Sequence, residues 1–214
     1  QKTAYEISLG LVGSEMCIRD RLSVVIQCLP PIFTTPWFMR IDLVAVPWIV
    51  CWLIFGFDAA LSCMLISVPL VGVLGPFAGG WVGMTMKAIA SIWMFLIPAL
   101  FARKFGVEEL LSKKHLYIVS ALVAIAVRDI ACIVLNLYFA IPIFFNMTPS
   151  QVIEFFSNPR FQSFIGLSLG LIGLTAYCVE VAFWNTIQGI IDAFTSLIIA
   201  LVVAIRLPHI MRKR

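Results

Sequence analysis

Residues 116–145 read LYIVSALVAIAVRDIACIVLNLYFAIPIFF, an apolar stretch whose only charged residues are Arg128 and Asp129. The hydrocarbon core of a bilayer is about 30 Å thick, and a helix needs about 20 apolar residues to cross it. Hydrophobic residues make up 62% of the 214, more than a soluble core could bury while keeping a charged surface. The sequence therefore predicts an all-α, polytopic membrane protein. Further apolar runs lie at residues 43–57, 59–78, 89–102 and 181–205.

The basic residues predict how the helices are oriented. Lysine and arginine gather in two clusters, at residues 103–114 and 206–214, and cytoplasmic loops carry the excess of these residues. A six-helix chain that starts inside places both clusters, and hence the C-terminus, in the cytoplasm. The six predicted transmembrane helices cover residues 22–33, 42–56, 57–73, 79–102, 116–145 and 176–207.

Residues 161–175 are predicted to form a re-entrant or extracellular helical segment that leads into the last transmembrane helix. The alternative counts residues 164–174 as a seventh span. That count would carry the basic C-terminal cluster to the outside, against the positive-inside rule, so six helices are favoured.

The first residues of the chain differ from the rest. Residues 1–21, QKTAYEISLGLVGSEMCIRDR, are polar and show no clear periodicity. The part SLGLVGSEMCIRDR resembles a translated sequencing adapter of the kind found at the edges of assembled environmental sequences; the alternative is a genuine cytoplasmic extension. We therefore expect a non-native segment at residues 1–21 and a single transmembrane domain at residues 22–214. On that expectation, the short apolar run at residues 22–33 is the remaining end of a truncated first helix.

Ionisable side chains within the predicted helices are Asp58, Lys87, Arg128, Asp129, Glu180 and Asp192. Such groups are costly in a bilayer and usually face a bundle interior or a cavity. Arg128 lies roughly 18 Å into its helix, near the middle of the membrane. It either pairs with Glu180 or Asp192 or contacts a ligand, and Asp129 needs a separate partner because adjacent residues do not face each other. Lys87 either extends to the membrane surface or points into a pocket.

The last predicted helix carries a polar stripe. Asn185, Gln188 and Asp192 are spaced i, i+3 and i+7 and so share one face. The stripe forms hydrogen bonds between helices or lines a cavity, and we favour the cavity because packing needs fewer polar groups. Neither a phosphate-binding loop nor a His-Glu-x-x-His motif is present, so the sequence predicts neither an enzyme nor a cofactor. The basic clusters anchor the topology and require no nucleic acid.

Three stretches of the chain together resemble the substrate-binding S components of energy-coupling factor (ECF) vitamin transporters, especially the riboflavin type. The first is residues 40–42, Arg-Ile-Asp, which enter a short helix containing Pro47. The second is residues 135–139, Leu-Asn-Leu-Tyr-Phe, followed by Pro142. The third is residues 183–189, Phe-Trp-Asn-Thr-Ile-Gln-Gly, in the last helix. The resemblance extends from about Leu22 to the end of the chain.

The resemblance implies a small prokaryotic membrane protein that captures riboflavin or a related vitamin from outside the cell. It would deliver the vitamin by toppling within a complex of a transmembrane coupling subunit and two ATPase subunits. Asn136 and Gln188 would contact the vitamin, and the loop at residues 37–42 would act as a lid. The candidate substrate-binding residues are Asn136, Gln188, Asn185, Tyr138, Trp37, Arg40, Asp42 and Trp184.

The chain departs from the riboflavin-type pattern in two places. Those members are expected to have a lysine where this chain has Gln188, whose amide keeps hydrogen bonding but lacks charge. The small-x-x-x-small alanine motif expected on the first helix, where the coupling subunit docks, is not visible. Truncation of that helix and true divergence both account for its absence.

Two other functions stay open. The carboxylates of Asp129, Glu180 and Asp192 are of the type that secondary transporters use as proton relays. A stand-alone proton- or ion-coupled transporter of a small metabolite is therefore the alternative, although 214 residues without a detectable inverted repeat are few for that class. A purely structural membrane subunit would bind no small molecule at all.

Overall fold

The computed structural model describes residues 25–26, 31–35, 39–74, 80–106, 109–110 and 113–206. These ranges are mostly helical and include one short antiparallel hairpin. The hairpin consists of β1 (Phe33–Thr34) and β2 (Arg40–Ile41). The helices are α1 (Val46–Phe55), α2 (Phe57–Leu74), α3 (Gly80–Phe105), α4 (Lys114–Leu135), α5 (Ile141–Phe145), α6 (Pro149–Ser157), α7 (Phe164–Ser168) and α8 (Gly173–Arg206). A π-helical turn, Asn136–Ala140, joins α4 to α5 without a break.

Three helical stretches are long and apolar enough to cross a membrane: Gly80–Phe105, His115–Phe145 and Gly173–Arg206. Two shorter apolar helices, Val46–Phe55 and Phe57–Val73, accompany them. Each corresponds to a predicted helix, with ends that differ by a few residues. The predicted all-α membrane class is therefore confirmed.

Polar and apolar residues are distributed as a lipid-embedded protein requires. The large apolar side chains of Leu122 and Ile130 on α4 and of Phe194 on α8 are exposed. The charged side chains of Arg128 and Asp192, on the same two helices, are buried. A water-soluble domain places charged groups outside and apolar groups inside. The outer faces of α4 and α8 therefore match an apolar solvent.

Helix α1 forms the centre of the bundle. Its Trp48 and Leu53 are fully buried, and it packs against α2, α3 and α8. The Trp48 indole donates a hydrogen bond to Ser67 Oγ at 2.7 Å, which satisfies its polar atom inside the core. Gly56, with φ of 98°, ends α1 and lets the chain turn directly into α2. A helix that protein encloses need not match the bilayer thickness, which accounts for the shortness of α1.

The π-helical turn has a local cause in Pro142. In a regular helix the proline ring would clash with the carbonyl four residues earlier, and proline donates no N–H. Here the backbone N–H of Ile141 donates to Asn136 O, five residues back, so the turn before Pro142 is wider. The predicted helix at residues 116–145 is thus continuous, but Asn136 lies where its winding changes.

The structure corrects the predicted ends of the first two helices. The first helix was predicted to reach residue 33, but Phe33 belongs to β1; the two prolines at positions 30 and 31 oppose helix continuation there. Most of that helix, like residues 1–21, lies outside the described residues. The second helix was predicted from residue 42 but begins at Val46. Asp42 is held outside it because its Oδ1 accepts a hydrogen bond from Val44 N at 3.1 Å.

The segment at residues 161–175 is not a seventh span. Helix α7 has five residues, and a helix of that length covers only about 7.5 Å. The preceding helix α6 was not predicted. It begins with a capping box, in which Thr148 Oγ1 accepts from Gln151 N and Gln151 Oε1 accepts from Thr148 N.

Candidate functional site

The hairpin lies at one end of the helix bundle and carries one predicted site residue, Arg40, two residues before another, Asp42. Phe33 pairs with Ile41, and Thr34 pairs with Arg40. The turn is closed by a hydrogen bond from Thr35 N to Met39 O at 2.8 Å. Trp37, the predicted aromatic residue of the lid, lies outside the described residues. We call the part of the bundle beside this hairpin the hairpin end.

Asp42 connects the hairpin to helix α3. Its carboxylate forms an ion pair with Lys87 Nζ, through Asp42 Oδ2. The side chains of both residues are largely buried. Lys87 therefore points into the protein and does not extend to the membrane surface. Its acidic partner offsets the cost of burying an ammonium group.

Gln188 ties the same residue to helix α8. Asp42 N donates to Gln188 Oε1 at 3.1 Å, and Gln188 Nε2 donates to Asp42 O at 2.7 Å. Gln188 Nε2 also donates to Asp192 Oδ1 at 2.8 Å. The Gln188 side chain is buried, so its amide fixes the backbone at the exit of the hairpin relative to α8.

Arg128 completes a continuous set of contacts. Its NH1 donates to Asp192 Oδ2 at 2.9 Å, and both side chains are buried. Of the two carboxylates predicted as its partner, Asp192 is therefore the one observed. We call Asp42, Lys87, Arg128, Gln188 and Asp192 the polar network. Its two cations and two anions sum to zero charge, as a group buried among apolar helices requires.

Asp129 has the separate partner that was predicted. Thr186 Oγ1 on α8 donates to Asp129 Oδ2 at 2.7 Å. Three buried polar atoms have no hydrogen-bond partner among the described residues: Asp129 Oδ1, Arg128 Nε and Trp93 Nε1. A buried polar group without a partner costs about 1–3 kcal/mol. These atoms are therefore the ones in the bundle interior that a polar ligand or water would stabilise.

Asn136 lies in the π-helical turn, apart from the polar network. Its Nδ2 donates to Cys132 O at 2.8 Å, and no donor among the described residues reaches its amide oxygen. Tyr138, two residues later, is 57% exposed and points away from the bundle interior. Phe139 contacts Trp81 edge to face, with ring centroids 5.9 Å apart. The π-helical turn thus carries one amide with an unused acceptor and one aromatic pair, and its contacts are with neighbouring helices.

Trp184 links α8 to the hairpin. Its ring lies against Phe33, with centroids 5.3 Å apart, and its Nε1 donates to Glu180 Oε1 at 2.7 Å. Glu180 Oε2 accepts from Ile165 N at 2.6 Å, so this fully buried carboxylate pairs with neutral donors and not with Arg128. Asn185 is also buried, and its Nδ2 donates to Val181 O at 2.9 Å within the same helix.

The structure brings together Arg40, Asp42, Gln188 and Trp184 of the predicted site, all in or beneath the hairpin. Two polar stripe residues, Gln188 and Asp192, form hydrogen bonds within the protein, which favours the inter-helical alternative for them. Three residues that were not among the candidates contact them: Lys87, Asp192 and Phe33. Arg128, also not a candidate, contacts Asp192. A charge within an apolar run was the signal for Lys87, Arg128 and Asp192. Phe33 gave no such signal because its contact with Trp184 depends on the fold.

The described ranges contain no group of three or more His, Cys, Asp or Glu side chains placed to hold a metal ion. Their polar groups are mainly amides and paired charges, which bind and orient a molecule. Among the described residues, the side-chain atoms with unused hydrogen-bonding capacity include Asn136 Oδ1, Asp129 Oδ1 and Arg128 Nε, and these could bind a small polar molecule.

Comparison with known proteins identifies a structural likeness but no sequence relative. No family model and no curated protein matches the chain. One solved structure, described as the S component of a bacterial ECF transporter, superposes with a TM-score of 0.60 at 17% sequence identity. The match covers 96% of this chain and 99% of that one. The chain therefore has the all-helical membrane fold of that S component.

Proposed function

We propose that the chain is the substrate-binding S component of an ECF-type ABC importer and captures riboflavin or a related small vitamin from outside the cell. The observation that carries the proposal is the likeness of fold to an ECF S component over 96% of the chain. A transmembrane coupling subunit and two ATPase subunits would be its partners. The protein would span the cell membrane several times, with its C-terminus in the cytoplasm.

The vitamin would bind at the hairpin end, beneath β1 and β2. Asn136, in the π-helical turn, is a further proposed contact because its amide oxygen is left without a donor among the described residues. Trp184 contacts the hairpin through Phe33, so a flat ligand could stack there. Trp37, Tyr138, Asn185 and Arg40 are further proposed contacts.

Gln188 would act on the vitamin through the lid. Both its carboxamide oxygen and its nitrogen bind the backbone of Asp42, the residue at which the hairpin enters the bundle. Gln188 would therefore hold the lid in place, and a direct contact with the vitamin would require Asp42 to move. Lys87, paired with Asp42, would hold the same lid residue from α3.

Tryptophan-fluorescence quenching of the purified full chain, titrated with riboflavin, tests this proposal. We expect saturable one-to-one quenching at nanomolar ligand. The same titration with thiamine, biotin and pantothenate separates the vitamin class from the particular vitamin. Binding of one of these three in place of riboflavin would replace the flavin assignment, and absence of binding by all four would contradict the vitamin proposal.

The variant Asn136→Ala tests the proposed contact. A lost ligand hydrogen bond is worth about 0.5–1.5 kcal/mol, or more when a buried group is left unpaired, so we expect affinity to fall about tenfold. The yield of folded protein should not change, since the side chain bonds only to Cys132 O in its own helix. Gln162→Ala, which removes an exposed amide from a loop, is the control. An unchanged affinity in Asn136→Ala would remove Asn136 from the site.

One observation favours the alternative of a proton-coupled secondary transporter. Asp129 has one buried carboxylate oxygen without a partner among the described residues, as a proton-relay residue would. Uptake by cells is the test, measured with the proton gradient collapsed and with ATP present. Uptake that persists, depends on the partner subunits and tolerates Asp129→Asn supports the S component. Uptake that is lost with the gradient and with Asp129→Asn supports the proton-coupled transporter.

A further inference from the structure

Helix α7 is fixed to α8 through its polar and small residues. Ser163 Oγ accepts from Gly166 N at 3.0 Å and donates to Ala176 O at 2.9 Å. A Cβ at Gly166 would lie 2.6 Å from Ala176 Cβ, so only glycine allows the two helices to approach this closely. The Glu180 carboxylate accepts from Ile165 N at 2.6 Å. One side of α7 is therefore held firmly by the first turns of α8.

The opposite side of this segment is apolar and exposed. Four large apolar side chains there are each more than half exposed: Phe164, Leu167, Leu169 and Ile172. Two backbone hydrogen bonds, Leu171 N to Gly166 O at 2.8 Å and Gly173 N to Phe161 O at 3.0 Å, hold the loop after α7 in a defined conformation. We call Phe164, Leu167, Leu169 and Ile172 the α7 apolar patch.

Water is an unfavourable surrounding for this patch. Burying apolar surface is worth about 25 cal/mol per Å², and soluble monomers rarely expose large contiguous apolar patches. The segment could have turned these side chains toward the bundle. Instead, the hydrogen bonds of Ser163 and Ile165 direct its polar groups inward.

The lipid bilayer is the surface with which the patch is continuous. Ile172 directly precedes α8, a helix long and apolar enough to span a membrane. Phe144 and Phe145 at the end of α5 and Phe183 on α8 are exposed in the same way, as lipid-facing residues are. Arg160 and Gln162, which precede α7, are also exposed and could reach the headgroups. A short helix beside the ends of membrane helices, apolar outside and polar inside, fits the headgroup boundary.

We propose that α7 and the loop after it lie in the bilayer interface at the hairpin end, with the α7 apolar patch inserted among the lipid acyl chains. The segment is then neither a re-entrant span nor a water-exposed loop. Insertion would also set the depth of the hairpin end, because Glu180 joins the segment to the site. Its two carboxylate oxygens accept from Ile165 N in α7 and from Trp184 Nε1, and the Trp184 ring contacts the hairpin.

Nitroxide spin labels on the full chain test this proposal. The variants Leu167→Cys and Gln162→Cys are labelled separately in protein reconstituted into phosphatidylcholine vesicles that contain phosphatidylglycerol. Unsubstituted protein measures the background from native cysteines. We expect the label at 167 to collide more with dissolved oxygen than with a water-soluble nickel chelate, and the label at 162 to show the reverse.

Two results would overturn the proposal. Equal access of the nickel chelate to positions 167 and 162 would make the segment a water-exposed loop. A label at 167 that neither reagent reaches would mean that protein, such as a second copy of the chain, covers the patch. Phe164→Cys gives an independent reading on the same face if Leu167→Cys does not fold. Neither measurement depends on the substrate, so the outcome is separate from that of the vitamin titration.

Discussion

Gln188 is the residue on which most contacts of the polar network converge. A glutamine amide has two N–H donors and an acceptor oxygen; here the oxygen accepts from Asp42 N, and the nitrogen donates to Asp42 O and Asp192 Oδ1. A lysine at this position could donate but not accept, so Asp42 N would lose its partner. It would also add a charge to a network whose charges already sum to zero. The glutamine at position 188, where the resemblance to riboflavin-type members implies a lysine, is therefore accounted for by the hydrogen bonds of this chain.

We predict that Gln188→Lys lowers stability. The lost acceptor alone should cost about 1–3 kcal/mol because Asp42 N is left buried and unpaired. Thermal denaturation of the detergent-solubilised protein is the measurement, with Gln162→Lys at an exposed position as the matched control. Unchanged stability together with tighter riboflavin binding would instead make residue 188 a direct ligand contact.

Arg128 and Asp192 depend on each other in the same way. We predict that Arg128→Ala greatly reduces folded yield, because it leaves the buried Asp192 charge without its cation, at a cost of about 3–5 kcal/mol. The double variant Arg128→Ala/Asp192→Ala should recover part of the yield by removing the stranded charge. Arg160→Ala, at an exposed position, is the control. Normal yield of Arg128→Ala with lost ligand binding would indicate that Arg128 contacts the ligand.

At the level of elements, the polar network depends on how closely α4 and α8 approach. A Cβ on Gly189 would lie 2.7 Å from Ile125 Cγ1, and Gly189 is adjacent to Gln188 and three residues from Asp192. The absence of a side chain at 189 therefore lets Arg128 on α4 reach Asp192 on α8 directly. The hairpin is anchored by the same arrangement, because Gln188 connects it to α8.

We predict that Gly189→Ala destabilises the bundle, by about 1–3 kcal/mol for an overpacked contact. Thermal denaturation should show the loss, and Gly189→Ala/Ile125→Ala should restore part of it by removing the clashing side chain. Gly72→Ala is a matched control, since its added Cβ would meet only the flexible side chain of Met84 at 3.4 Å. Equal stability of the two single variants would show that α4 and α8 can separate at little cost.

At the level of the whole molecule, the apolar exterior and the paired interior charges define which surroundings the fold requires. Exposed residues such as Leu122, Ile130 and Phe194 need lipid, while the charges inside are matched. We propose that the bundle is oriented with both basic clusters, and hence the C-terminus, in the cytoplasm, as the positive-inside rule predicts.

We predict that Arg160→Cys, in the loop between α6 and α7, reacts with a membrane-impermeant maleimide in intact cells. Lys104→Cys, near the end of α3, should react only after the cells are lysed. The unsubstituted protein gives the background from native cysteines. Both target residues are exposed, so accessibility within the fold does not limit the reaction. The reverse pattern would invert the proposed topology and place the C-terminus outside.

The helices themselves could be predicted from local sequence. Apolar length and breaks in hydropathy are properties of consecutive residues, so the positions of α1 to α3, of the continuous stretch from α4 to α5 and of α8 were predicted to within a few residues. The same reasoning identified Asp129 and Arg128 as buried groups that need different partners. It did not predict α6. It also missed the hairpin, because strands of two residues have no periodicity to detect.

The sequence by itself determined that this is an all-α membrane protein. Apolar runs of this length need a lipid environment, whatever partners the chain binds. Only the tertiary structure decided which groups meet. Asp192 and not Glu180 pairs with Arg128, Gln188 binds the backbone of Asp42 across 146 residues of sequence, and Tyr138 points outward. These outcomes depend on the rotation and axial position of each helix. Packing between distant segments sets both, through contacts such as that of Gly189 with Ile125, and no local pattern records them.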